Sequence, residues 1–181
     1  MKNYLFSELK SFWVFLISPI EFKQQLQQST KSRFKRSLLM AMLALPMGWA
    51  LWKFVTWLPE LGFYLPLKDN DPTLHRGAAV ILLSSLVVAP ILEEWVFRWP
   101  LLPLARLRYF RAIFYVIALM FGMIHMANYE ADRAHWLFSL LIVSPQLVAG
   151  LCFAYVRLTC GIWWAVGSHA LYNAIGLMIQ D

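Results

Sequence analysis

Two stretches near the C-terminal end carry no charged residue: Trp136 to Val156, 21 residues, and Gly161 to Ile179, 19 residues. In hydrocarbon every backbone N–H and C=O has to be satisfied without water, which leaves helices and closed barrels as the spanning forms. A spanning helix needs ~20 mostly apolar residues, and both runs meet that length. Three apolar runs with softer edges precede them: Leu38 to Leu58, interrupted by Lys53, a run that begins at Gly77, and Ala112 to Asn128. The chain of 181 residues is 60% hydrophobic and 14% charged, whereas a soluble domain is roughly half apolar and about a quarter charged. The expected fold is therefore all-α, a polytopic transmembrane helical bundle of about five spans.

Ahead of the first run lies a basic, polar segment, Lys23 to Arg36, and before that Phe12 to Ile17, read as an interfacial helix. This divides the chain into a cytoplasmic or interfacial basic segment, 1–36, and a transmembrane helical domain, 37–181. No small-residue cleavage site clearly follows Phe12–Ile17, so no cleavable signal peptide is expected. Pro46, Pro90 and Pro145 fall within spans, where prolines are tolerated and often kink the helix. With a cytoplasmic N-terminus and five alternating spans, 12 of the 16 Lys and Arg residues face the cytoplasm. Lys68, Arg76 and Arg133 fall outside, with the acidic Asp69, Asp71, Glu130 and Asp132. The asymmetry sets the N-terminus inside, and the plasma membrane is the expected location. The net charge of +6 then serves contact with anionic lipids, and no nucleic-acid partner is expected. Cys152 and Cys160 offer no disulfide framework and no zinc spacing, and read as buried, inert thiols. Trp57, Trp136, Trp163 and Trp164 lie near span ends, as interfacial anchors do, and His75 and His135 read as solvated loop residues.

Against this background the sequence Glu93-Glu94-Trp95-Val96-Phe97-Arg98 stands out, because it lies inside an apolar run. Carboxylates at membrane depth cost ~2.5–3.5 kcal/mol each and mark functional sites by default. Glu94 and Arg98 are four apart with the acid first, the favourable order for a helical ion pair, so Arg98 is expected to neutralise and orient Glu94. Glu93 points about 100° away and has Ala89 and Phe97 at its i±4 positions. A carboxylate left without a helical partner is available for proton transfer. Arg106, Arg108 and Arg111 suggest a cytoplasmic turn near Tyr109, with Glu93 16 residues before it and His125 16 after. An antiparallel hairpin would bring those two to one depth. His169 and Asn173, four apart, share one helix face.

A carboxylate, two histidines and an amide converging from three helices suit hydrolysis by activated water. Glu93 would take the proton, His125 would position or share it, and His169 and Asn173 have donors suited to an oxyanion. No serine or cysteine has a nucleophile's surroundings. Glu and His also admit a zinc-dependent version, though no HExxH is present; the reading carries no cofactor. Two further classes fit the same residues. One is a non-catalytic membrane protein that regulates a partner or confers bacteriocin immunity, and the other is a proton-coupled transporter.

Three motifs occur in order, each in an apolar run. They are EExxxR at Glu93–Arg98, FxxxH at Phe121–His125 and HxxxN at His169–Asn173. In this order and setting the chain resembles the CPBP family of membrane proteases, which includes type II CAAX prenyl endopeptidases and bacteriocin-processing or self-immunity proteins. The resemblance covers the motif-bearing core, 77–181. It implies a site in a cavity open toward the cytoplasm, with Glu93 and His125 activating water. It further implies that Glu94 and Arg98 support the site and that His169 and Asn173 form the oxyanion hole. The family is regarded as glutamate-type rather than metal-dependent, and a peptide or membrane protein is the implied substrate. Many relatives carry glycine directly after the motif arginine; this chain has Trp99 and then Pro100, a departure that bears on substrate class.

Overall fold

The computed structural model describes residues 2–19, 29–57, 77–129 and 133–179, and every element among them is helical. Lys23, Lys68, Asp69, Asp71, His75, Arg76, Glu130 and Asp132 lie outside the described residues.

Helix α1 (Lys2–Ile17) extends ten residues ahead of the apolar run that predicted it. One face packs on the bundle: Phe15 is fully buried, edge-on against Phe114 at 5.3 Å and Tyr155 at 5.1 Å. The other face leaves Phe6, Leu9, Trp13 and Ile17 exposed. Glu8 faces inward and receives Nε and Nη2 of Arg36, both at 2.7 Å. Such a two-pronged ion pair tolerates burial because each charge keeps hydrogen-bond partners. Arg36 lies within α2 (Thr30–Trp57), which starts eight residues earlier than the apolar run at Leu38. The basic residues ahead of Leu38 therefore continue the helix, in keeping with the good helix propensity of Lys and Arg.

The chain resumes with α3 (Ala78–Leu83), a π-helical turn at Ser84–Val88, α4 (Ala89–Glu93), a second π-helical turn at Glu94–Arg98 and α5 (Leu101–Leu104). Together these form one apolar helical stretch, Ala79–Leu104. Then come α6 (Phe110–Ile124), a 3₁₀ turn at His125–Asn128, α7 (Arg133–Leu137), α8 (Ser139–Ile142), α9 (Ser144–Cys160) and α10 (Ile162–Ile179). Between α9 and α10 the chain turns at Gly161, whose φ of 111° favours a residue without a side chain.

Among the described residues, three helices are long and apolar enough to cross a membrane: Thr30–Trp57, Ala79–Leu104 and Phe110–Asn128. The run Trp136–Val156, expected as one span, is divided among α7, α8 and α9, with Phe138 and Val143 outside helical geometry. Pro145 sits in the first turn of α9, where its fixed φ starts a helix and its missing N–H cannot continue the one before. The part of the run within α9 is apolar for a different reason than contact with lipid. Every residue from Cys152 to Cys160 is buried, and α9 packs against α1, α2, α6, α8, α10 and the second π turn. A helix buried all round needs apolar residues all round. The run Gly161–Ile179 does form a single helix, α10, whose Ser168, His169 and Asn173 dilute its apolar character.

The main core gathers Phe15, Met40, Phe110, Phe114, Phe153, Tyr155 and Leu158 around α9. Cys152 and Cys160 are free thiols within it. A smaller cluster of Met126, Tyr129, Ile142 and Val143 closes the other end against Trp52.

Candidate functional site

Both π turns follow from prolines. In the first, Ala89 N–H bonds Ser84 O, five residues back. The next bond in that register would run from residue 90 to Ser85 O, but Pro90 has no N–H to give. Asn173 of α10 supplies the missing donor, with Nδ2 at 2.8 Å from Ser85 O. In the second, Trp99 N–H bonds Glu94 O at 2.8 Å, again five back, and Pro100 follows. A π turn inserts an extra residue into the helical register, and such turns recur at functional sites. Here it carries Glu94 to Arg98.

Within that turn the two carboxylates meet different surroundings. Glu94 is fully buried: its Oε1 lies 3.0 Å from His169 Nδ1 and 3.8 Å from Arg98 Nη1. The expected ion pair with Arg98 is present, and the shorter contact is to His169 from α10. The Glu93 side chain keeps 27% of its surface exposed, and its Oε2 lies 3.8 Å from His169 Nε2 with no hydrogen-bond partner. Glu93 has no helical partner, as expected, but faces His169 across the bundle. His169 therefore sits between the two acids. An ionised carboxylate can only accept, so Nδ1 carries the proton in the contact with Glu94 and Nε2 is the nitrogen turned to Glu93. Phe153 stacks on the imidazole at 4.7 Å between centroids and fixes its plane.

His125 opens the 3₁₀ turn after α6, and its Nδ1 lies 2.8 Å from Phe121 O. A carbonyl accepts, so Nδ1 is the donor and the neutral ring keeps an unprotonated Nε2. Its described contacts lead to Phe121 rather than directly to Glu93. Phe121 is the residue that joins the motifs. Its ring lies 5.1 Å from that of His125 and 6.4 Å from that of His169, and edge-on at 5.4 Å to Phe97. The Arg98 guanidinium rests 3.5 Å from its centre, a cation–π contact on a buried charge. Sequence reasoning missed this role, although Phe121 opens the FxxxH motif; an aromatic in an apolar run carries no signal of its own.

Gly150 of α9 was missed as well. A Cβ there would lie 2.8 Å from Arg98 Nη2 and 2.7 Å from Phe121 Cδ1, so only glycine leaves room for the guanidinium. Near His169, Ser168 pairs with Ser37 at 2.6 Å between hydroxyls and so ties α10 to α2. Trp95 and Trp99, on the outer side of the π turn, stack on each other at 6.2 Å and are half exposed. Trp99 therefore points away from the acids. Among the described residues, no group of three or more His, Cys, Asp or Glu is arranged to hold a metal ion.

The arrangement offers a partly exposed carboxylate, a histidine clamped by a second, sealed carboxylate, and a further histidine with a free ring nitrogen. Groups of these types are able to serve general-base hydrolysis. Neither a curated protein nor a solved structure matches the chain. The family model described as type II CAAX prenyl endopeptidase Rce1-like matches residues 75–175, a stretch that contains Glu93, Glu94, Arg98, His125, His169 and Asn173. Its apolar helices make the chain an integral membrane protein, and it belongs to this family of membrane endopeptidases.

Proposed function

We propose that the protein hydrolyses a peptide bond near the membrane, using water activated by Glu93. The carboxylate of Glu93 takes a proton from water while the oxygen adds to the scissile carbonyl carbon. His125 Nε2 accepts a hydrogen bond from the same water and orients it. The oxyanion is stabilised by His169 and by the second amide hydrogen of Asn173, whose first is committed to Ser85 O. Glu93 then passes its proton to the leaving nitrogen as the C–N bond breaks. Glu94 and Arg98 hold His169 and do not touch the substrate. No metal takes part in this scheme.

The observation that carries the reading is the contrast between neighbours: Glu94 is sealed at 0% exposure, while the Glu93 side chain keeps 27% of its surface exposed. A sealed carboxylate cannot meet both water and substrate, and a partly exposed one can. In the proposed orientation the N-terminus is cytoplasmic and the membrane is the plasma membrane, with the basic residues against anionic lipid. The substrate is a prenylated C-terminus, a leader peptide or another membrane peptide.

Comparing membrane proteomes of wild-type and Glu93→Ala cells tests activity and substrate together. Uncleaved peptides should accumulate in the variant. Unchanged proteomes with retained function in vivo would point to a regulatory or immunity protein. Proton-coupled flux in proteoliposomes without cleavage would point to a transporter, and loss of cleavage on chelation would replace the metal-free scheme.

A further inference from the structure

Arg157 on α9 is buried and belongs to none of the three motifs. Its guanidinium reaches two backbone carbonyls at the end of the second π turn, with Nε 3.0 Å from Arg98 O and Nη2 3.2 Å from Trp99 O. The reason Trp99 O needs a side-chain donor is local. Beyond the π turn the backbone returns to four-residue spacing, with Leu104 N–H on Pro100 O and Ala105 N–H on Leu101 O. In that register Trp99 O belongs to residue 103, and Pro103 has no N–H. Arg157 fills that place, as Asn173 does for Ser85 O behind Pro90. Arginine suits the task, since its fork donates to two acceptors at once and stays charged when buried.

We infer that Arg157 is a positioning residue: it fixes the end of the π turn that aims Glu94 at His169, and through them the geometry around Glu93. The catalytic consequence rests on the reading of the site as a glutamate-dependent peptidase; the backbone role does not. Gly150, two turns earlier on the same helix, meets the side chain of Arg98, so α9 supports this turn from both backbone and side chain.

The test uses the purified full chain in detergent and reads amide exchange across Glu94–Trp99 by mass spectrometry. Arg157→Met removes every donor at similar length and should raise exchange there by about tenfold or more, with α6 unchanged. Adding Pro103→Ala returns a backbone N–H for Trp99 O and should bring exchange back toward wild type. Arg157→Lys, with one donor group in place of a fork, should fall between. On a peptide that accumulates in Glu93→Ala membranes, Arg157→Met should lower kcat by about tenfold or more with KM unchanged, as misplacement of a catalytic group does. Wild-type exchange in Arg157→Met, or no recovery on adding Pro103→Ala, overturns the inference. Should Arg157→Met fail to fold, wild-type exchange in Arg157→Lys overturns it instead. A wild-type chain that cleaves nothing removes the peptidase reading and leaves the exchange result to decide the role of Arg157.

Discussion

Glu94 is enclosed by His169 and Arg98, and burying a charge is tolerable only while its partners remain. Glu94→Ala would take from His169 its shortest polar contact and from Arg98 its ion pair, and should cost about 3–5 kcal/mol, read as a lowered unfolding midpoint in denaturant. Glu93→Gln keeps shape and exposure, so its stability should stay within about 0.5 kcal/mol of wild type, while hydrolysis should fall by about 10²–10⁴-fold. A single pair of neighbours thus separates stability from chemistry, and equal effects of the two variants on stability would contradict the assignment. Phe121→Ala removes the surface under Arg98 and the contact with both histidines. It should cost about 3–5 kcal/mol, measured in the same unfolding experiment, and should impair hydrolysis with Glu93 and His169 both intact. That Glu93 and Glu94 would meet different partners was legible in the sequence, because i,i+4 spacing singled out Arg98 for Glu94. The place of His169 between them was not, since helical spacing says nothing about which residue of a helix 75 positions away meets which oxygen.

At the scale of elements, proline governs the site. Pro90 leaves Ser85 O without a backbone donor and Asn173 provides one, so the two residues should be coupled. Asn173→Ala alone should destabilise by about 1 kcal/mol or more, because it leaves a carbonyl unmet. Pro90→Ala should relieve part of that loss, and the double-mutant cycle should show a coupling of about 0.5 kcal/mol or more. Additive effects would break the account of the first π turn. The prolines were visible in the sequence as potential kinks. That they would produce five-residue turns and draw Asn173 and Arg157 into capping roles was not, because the compensating donors come from other helices. The same limit explains the fourth apolar run. Its uncharged 21 residues fit a span by length, yet Pro145 divides it and the surrounding helices enclose α9. Composition reports an apolar environment without saying whether lipid or protein supplies it.

For the whole molecule, α1 is part of the folded unit. Glu8 holds Arg36 of α2 and also accepts from the Tyr155 hydroxyl of α9 at 3.3 Å, so three helices meet at one buried ion pair. Glu8→Ala should cost about 3–5 kcal/mol by leaving Arg36 with less than its set of partners, again measured by denaturant unfolding; a change under about 0.5 kcal/mol would mean that α1 is dispensable to the bundle. The helical bundle and its membrane setting were readable from apolar runs alone, and the motif residues from costly charges placed among them. The integrating role of α9, which touches α1, α2, α6, α10 and the second π turn, emerges only from packing. The central claim is that one of two adjacent acids performs the chemistry. Its most direct measurement is the processing of membrane peptides in cells carrying Glu93→Gln at wild-type protein level. The account predicts that the peptides cleaved by wild type accumulate intact, and their normal cleavage in that variant would contradict it.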